Sequence, residues 1–81
     1  MIDEYNIAMM ALLGIHKKYE ESQDKEALYR EMKVFTDFCI KYDLLDNKTD
    51  ELSATILRHA MGILIAATDL DKYAKEHENN D

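Results

Sequence analysis

Two pairs of acidic residues, each three positions apart, are the feature of this sequence most able to do chemistry. They are Glu21 with Asp24 and Asp43 with Asp46. Some all-helical enzymes bind magnesium through acidic side chains on facing helices, and those side chains must point inward. Both pairs fall at predicted helix ends, where acids serve as caps, and only Glu31 lies near the edge of an apolar helix face. The sequence therefore predicts a protein that is not an enzyme, with no catalytic, cofactor-binding or metal-binding residues.

The histidines and the single cysteine lack the spacing that is typical of a metal or nucleophile site. His16 and His59 each border an apolar face, as structural histidines do, and no HExxH or HxxxH spacing is present. Cys39 lies in an apolar run, which predicts a buried, unreactive thiol and a reducing, cytoplasmic environment. The segment 46–50 resembles a calcium loop, but a lysine occupies a ligand position and no glycine follows it.

The composition predicts one small helical domain. The chain has 81 residues, of which 47% are hydrophobic, and it contains two glycines and no proline. So few turn-forming residues argue against an all-β domain. A domain of this size buries only about 60% of the surface of its extended chain, so self-association is a common route to stability.

Charge and hydropathy limit the classes of partner. The 17 acidic and 10 basic residues give a formal net charge of -7, which matches poorly with a nucleic acid or an anionic membrane. The most apolar run, 60–67, is far shorter than the roughly 20 residues of a membrane-spanning helix. The first residues are acidic, where a secretory signal would be basic. We therefore expect a cytoplasmic protein with no direct nucleic-acid partner and no membrane partner.

Apolar residues recur at helical spacing in three segments, which predict an all-α, three-helix bundle. The helices are expected at about 2–21, 25–43 and 50–76, within a single domain of residues 1–76 that is followed by a frayed polar tail, 77–81. Ser22 or Asp24 is expected to cap the second helix, and Asn47 or Thr49 the third. Because neither glycine nor proline separates the first two helices, one continuous helix through this region is an alternative.

Each helix carries an apolar stripe that predicts its buried face. In the first helix the stripe is Met1, Tyr5, Ala8, Leu12, Ile15 and Tyr19, widened by Ile2, Met9 and Leu13. In the second helix it is Leu28, Met32, Phe35, Phe38, Cys39, Tyr42 and Leu45. The third helix has one stripe of Leu52, Ile56, Ala60, Ile63, Ala67, Leu70 and Ala74, with a second stripe beside it. A helix that is apolar almost all round is expected to be central in its assembly.

Apolar residues outside these main stripes predict a surface for self-association. They are Ile7 and Met10 in the first helix and Leu57, Met61, Leu64 and Ile65 in the third. At about 25 cal/mol per Å², leaving four such side chains in water forgoes a free energy comparable to the stability of a small domain. A two-fold dimer is the commonest oligomer. We therefore expect a homodimer that is formed chiefly through the third helix.

These features together predict a small acidic helical protein that acts by protein–protein interaction, as a homodimer that engages another, unidentified protein. By class-level analogy, such a chain fits a bacterial or phage accessory or regulatory protein. One alternative is an inhibitor that mimics a nucleic acid and occupies the basic cleft of a host DNA- or RNA-binding protein, although basic and acidic residues are interleaved on the second helix. A second alternative is a structural or assembly subunit whose apolar residues build a higher oligomer.

Overall fold

The computed structural model describes residues 3–46 and 51–78, and these residues form four helices. The helices are α1 (Glu4–Ser22), α2 (Lys25–Lys41), α3 (Glu51–Thr68) and α4 (Leu70–Glu78). The described residues include no strand, so the all-α prediction is confirmed. The prediction of three helices is wrong, because the segment expected to form one helix over 50–76 is divided into α3 and α4.

The α1 and α2 helices form an antiparallel hairpin with a two-residue connection that is shaped by polar side chains. Gln23 adopts a left-handed φ of 56°, and its Nε2 donates to the carbonyl oxygens of Tyr19 and Glu20 at 3.3 and 3.2 Å. These bonds occupy carbonyl groups at the end of α1. Asp24 caps α2, since its Oδ1 accepts from the amide of Ala27 at 3.1 Å. The predicted cap is confirmed at Asp24, and the alternative of one continuous helix is wrong.

The boundary between α3 and α4 is a sharp turn at Asp69. Its φ of 54° lies in the left-handed region, which aspartate tolerates better than most residues other than glycine. Just before the turn, the buried hydroxyl of Thr68 donates to the carbonyl oxygen of Leu64 at 2.8 Å, so this polar group is satisfied within α3. The turn redirects the chain so that α4 packs against α2 as well as α3. Because neither glycine nor proline marks this break, the apolar spacing across it predicted one long helix.

The connection between α2 and α3 also begins with a left-handed residue, Asp43, whose φ is 56°. The amide of Leu44 then donates to the carbonyl oxygen of Cys39 at 2.9 Å, and the Leu44 side chain is buried. The connection therefore closes one end of the core. The predicted caps of the next helix, Asn47 or Thr49, lie outside the described residues.

The core lies between the four helices, each of which packs against two others. Both α1 and α4 contact α2 and α3. The buried hydrophobic residues are Ala8, Leu12, Leu28, Met32, Phe35, Cys39, Leu44, Ala54, Leu57, Leu64 and Leu70. Those of α1 and α2 belong to the predicted stripes, although Phe38 is only half-buried and Tyr42 is exposed. The single apolar stripe of α2 thus identified its buried face.

The two apolar stripes of α3 are placed opposite to the prediction. Leu57 and Leu64, which were expected at an interface, are 1% and 2% exposed and belong to the core. Leu52, Ile56 and Ile63, which were expected in the core, are all exposed. Within the single chain, α3 keeps an apolar side in contact with solvent, so its expected central position in an assembly stays a prediction.

Part of the predicted polar tail is helical. His77 and Glu78 form the last residues of α4, and the remaining positions, 79–81, lie outside the described residues. Glu78 contacts α2, so α4 is attached to the rest of the fold at its end as well as through the buried Leu70.

Candidate functional site

The residues that the sequence singled out for chemistry are scattered over the structure. His16 is half-buried on the side of α1 next to α3, while His59 is exposed. Cys39 is fully buried, and burial raises the pKa of its thiol. Glu31 is paired with Lys18, with 2.6 Å between Oε1 and Nζ. All four residues of the two acidic pairs are exposed, and no group of three potential metal ligands occurs in the described part of the chain.

The six residues predicted for an interface differ in their access to a partner. Two of them, Leu57 and Leu64, belong to the core. Met61 and Ile65 are half-buried and pack against the core, whereas Ile7 and Met10 of α1 are exposed. Of the six predicted residues, the two on α1 are therefore the most accessible to another protein.

Large apolar side chains occupy the side of α1 that faces away from the core. Ile7, Met10 and Leu13 follow one another at intervals of three residues, which places them along one broad side of the helix. All three are exposed, and Met10 is the most exposed of them at 73%. The opposite side of α1 supplies the buried Ala8 and Leu12. This helix is therefore apolar on both its inner and its outer side.

An apolar groove of about 430 Å³ lies between α1 and α2. Its α1 wall consists of Ile7, Ala11 and Ile15, which are spaced by four residues and so lie on one side of the helix. Its α2 wall includes the exposed Val34 and the half-buried Phe38. The groove is large enough to accept side chains of another protein.

The charged residues of this groove are already paired within the chain. Glu31 contacts Lys18, as described above, and Arg30 contacts Glu26 with 3.3 Å between Nη1 and Oε1. A small polar ligand needs a few polar groups that fix its orientation. Because the groove is lined mainly by apolar side chains and its charged groups are already paired, it favours apolar side chains over a polar metabolite.

A smaller groove of about 160 Å³ lies on the other side of α1, next to α3. Leu13 and His16 line it from α1, and Ala60 and Ile63 line it from α3. The outer side of α1 thus lies between two apolar grooves. We call Ile7, Met10 and Leu13, together with Val34 and Ile63 on the flanks, the α1 surface.

The sequence identified only part of the α1 surface. Ile7 and Met10 were recognised because they interrupt the polar side of their helix. Ile63 was expected in the core, although it is exposed, as is Leu13. Val34 was not recognised, although its position one turn before Phe38 was an available signal.

A second cluster, made of polar and aromatic groups, fastens α4 to α2. The hydroxyl of Tyr29 donates to the carboxylate of Glu78, and Nζ of Lys33 lies 3.5 Å from the same carboxylate. The ring of Tyr73 packs on that of Tyr29 with 5.5 Å between centroids and stacks on His77 with 3.8 Å. The hydrogen bond from Tyr29, assisted by the charge of Lys33, lowers the pKa of Glu78. These contacts have a structural explanation, the attachment of a short helix, and need no ligand.

None of the described helices is both long and apolar enough to cross a lipid bilayer. The chain matches no protein-family model, and no curated protein or solved structure is significantly similar to it. Function must therefore be inferred from the geometry of the α1 surface.

Proposed function

We propose that this protein is a non-enzymatic protein–protein interaction module that forms a homodimer through the α1 surface and engages a further protein. The observation that carries the proposal is the continuity of this surface. Ile7 and Val34 line one groove, Leu13 and Ile63 line the other, and Met10 lies on the helix between them. Single exposed apolar residues are normal on proteins, whereas contiguous ones mark sites of association.

The free energy available from covering the α1 surface is comparable to the stability of the domain. Complete burial of one such side chain contributes about 1.5–3 kcal/mol, and a domain is stable by about 5–15 kcal/mol. Association also costs about 4–15 kcal/mol of lost translational and rotational freedom. Only the surplus appears as affinity, so we expect a dimer that dissociates in the micromolar range.

The proposed dimer uses α1 where the sequence favoured the third helix. The reason is the burial of Leu57 and Leu64, which leaves the α3 part of the predicted interface largely inaccessible. Ile63 contributes from α3 in their place, because it is exposed beside Leu13. The interaction hypothesis is thus retained with a different set of contacts.

The distribution of charge supports an apolar interface over a mimic of nucleic acid. A mimic needs an extended surface of one sign. On α2 and α4, Arg30 pairs with Glu26 and Lys75 pairs with Asp71, so acidic and basic groups alternate along both helices. Association through the α1 surface is therefore expected to depend only weakly on salt.

Sedimentation equilibrium from low to high micromolar concentration tests the proposal. We expect the unmodified chain to form a dimer and Met10→Glu to be monomeric, because a charge at the centre of the α1 surface opposes burial. Ile40→Glu is the matched control, since Ile40 is 66% exposed and lines neither groove. A chain that stays monomeric at high micromolar concentration would overturn the proposal, and an open-ended series of oligomers would favour an assembly subunit.

A further inference from the structure

We infer that the two copies pack α1 against α1 in antiparallel orientation, about a two-fold axis that passes between Met10 and Ala11. This inference depends on the proposed function, from which it takes self-association through the α1 surface. It adds the orientation and register of the partner, which the exposed groups of α1 determine.

The middle of the outer side of α1 combines large and small side chains. Ile7 and Met10 are large, whereas Ala11 and Gly14 are small, and all four are exposed. A Cβ atom added at Gly14 would meet nothing within 4 Å, so no group of the described chain requires the glycine. Glycine nevertheless weakens a helix relative to alanine. An antiparallel partner in this register explains the residue, because its Ile7 lies over Gly14 and the two helices can approach closely.

The start of α1 is acidic, and two lysines lie about one turn before its end. Asp3 and Glu4 lie at the start of the helix, Lys17 and Lys18 lie near its end, and Glu20 and Glu21 follow them. Lys18 lies fourteen residues after Glu4, and Lys17 lies fourteen residues after Asp3. Fourteen residues make about four helical turns, so each lysine lies on the same side of α1 as its acid. The side with Glu4 therefore carries an acid at one end and a lysine near the other, whereas Glu21, one turn after Lys17, adds a second acid to the side with Asp3.

A two-fold axis across α1 brings these opposite charges together. In an antiparallel pair, each flank of α1 faces the same flank of the other copy, so Glu4 faces Lys18 of the partner copy. Asp3 and Lys17 are each seven residues from Met10, so they lie along the centre of the outer side, where Asp3 faces Lys17 of the partner copy. Lys18 lies on the flank next to α2, where it contacts Glu31, so the partner's Glu4 would join an existing ion pair. A parallel pair would place acids beside acids and lysines beside lysines, and is disfavoured for that reason.

The same orientation covers both flanks of the α1 surface. Because the α2 flank of one copy faces the α2 flank of the other, the exposed Val34 lies on a flank that the partner copy covers. The exposed Ile63 is covered in the same way on the α3 flank. The charges select the orientation, and the apolar side chains supply the affinity.

Cysteine cross-linking tests the orientation. A residue next to a two-fold axis lies close to its own counterpart, so Met10→Cys is expected to form a disulfide between two copies under mild oxidation. Ile40→Cys, of similar exposure but outside the α1 surface, is expected to remain reduced at the same concentration. The native Cys39 is buried and does not contribute. If the unmodified chain dimerises but Met10→Cys cross-links no better than Ile40→Cys, the inference is wrong while the proposed function stands.

Charge exchange tests the register. Glu4→Lys and Lys18→Glu are each expected to raise the dissociation constant of the dimer about tenfold, because each places like charges at both ends of the helix pair. An equimolar mixture of the two variants restores opposite charges at both ends and is expected to form a mixed dimer with the original affinity. Single variants that associate as tightly as the unmodified chain would contradict the antiparallel register.

Two controls separate these effects from changes in the fold. Lys18→Glu also loses the contact with Glu31, so the free energy of unfolding of Glu31→Gln, which loses the same contact, gives the effect of that loss on the fold. Gly14→Leu is expected to weaken the dimer, whereas Gly62→Leu, at an equally open glycine of α3, is not. Failure of the unmodified chain to dimerise would overturn the proposed function together with this inference.

Discussion

Tyr29 and Glu78 are 49 positions apart in the sequence, yet the hydroxyl of the tyrosine donates to the carboxylate of the glutamate. Lys33, one turn after Tyr29, lies 3.5 Å from the same carboxylate and 4.8 Å from the centroid of the Tyr29 ring. The last residue of α4 is thus held against the middle of α2. With nine residues, α4 is too short to be stable alone, so its helical structure depends on contacts of this kind.

The Tyr29→Phe substitution should loosen α4 selectively. It removes the hydrogen bond to Glu78 and keeps the aromatic ring that packs on Tyr73. We expect faster hydrogen exchange of the α4 amides, with the amides of α1 unchanged, because local opening does not require global unfolding. Tyr42→Phe, at the opposite end of α2, is the control and should leave α4 unaffected. Equal acceleration throughout the chain would show that α4 is not a separate unit.

Acid should loosen the same helix. The hydrogen bond from Tyr29 and the charge of Lys33 hold the pKa of Glu78 below its ordinary value of 4.5. A carboxyl group whose pKa is lower in the folded than in the unfolded chain adds stability that is complete above the unfolded pKa and is lost as pH falls through the folded pKa. We therefore expect exchange of the α4 amides to accelerate as pH falls below about 4.5, after correction for the intrinsic exchange rate.

The variant Glu78→Gln isolates this contribution. It should loosen α4 already at neutral pH and show a smaller further change on acidification, because the group that titrates is gone. The matched variant Glu20→Gln, on the exposed side of α1, should keep the full acid response of α4. An acid response of equal size in both variants would assign the effect to other carboxyl groups.

The sequence was sufficient to predict the positions of α1 and α2, because the apolar spacing and the capping residues indicate the same helices there. The α2 helix has one apolar stripe, a polar opposite side and a capping aspartate at Asp24, so spacing and cap give the same boundaries. The turn at Asp69 could not be recognised, because an aspartate in the left-handed conformation leaves no glycine or proline in the sequence. Leu70 and Ala74 belong to α4, but in the sequence they continue the apolar spacing of α3.

The buried face of α3 could not be predicted for a different reason. Leu57 and Leu52 lie on different apolar stripes of the same helix, and spacing alone does not say which stripe faces inward. That choice is made by packing against α1 and α4. The same limit applies to the α1 surface, where Met10 stands out in the sequence but the flanking Val34 and Ile63 are brought beside α1 only by the tertiary structure.

Alanine substitutions at Leu57 and Leu52 test the placement of these two stripes. Leu57 is 1% exposed, and replacing a buried leucine by alanine lowers the free energy of unfolding by about 2–5 kcal/mol. Leu52 is exposed, so Leu52→Ala should change it by less than about 0.5 kcal/mol. Urea denaturation at low protein concentration, where association does not contribute, measures both values. If Leu52→Ala lowered the free energy of unfolding more than Leu57→Ala does, the stripe that contains Leu52 would face the core, as the sequence predicted.

The cap of α2 should contribute measurably to stability. Asp24→Ala removes the acceptor of the Ala27 amide and should lower the free energy of unfolding by about 1 kcal/mol. In a domain of this size, that loss corresponds to a fall in Tm of about 4–8 °C. Asp37→Ala is the control, since Asp37 is exposed within α2 and caps no helix. Comparable losses from both substitutions would mean that the effect is one of charge and not of capping.

Alanine substitutions at Gly14 and Gly62 should affect the free energy of unfolding differently once the chain dimerises. A Cβ atom at Gly14 or Gly62 would meet nothing within 4 Å, and neither glycine has a positive φ. At low concentration, each substitution should therefore raise the free energy of unfolding by about 1 kcal/mol, through helix propensity alone. At high concentration, the new methyl group at position 14 meets Ile7 of the partner copy in the antiparallel pair, so Gly14→Ala should lose part of its gain while Gly62→Ala keeps it. Thermal unfolding at both concentrations measures the difference, and equal gains under all conditions would contradict the close approach of the two α1 helices.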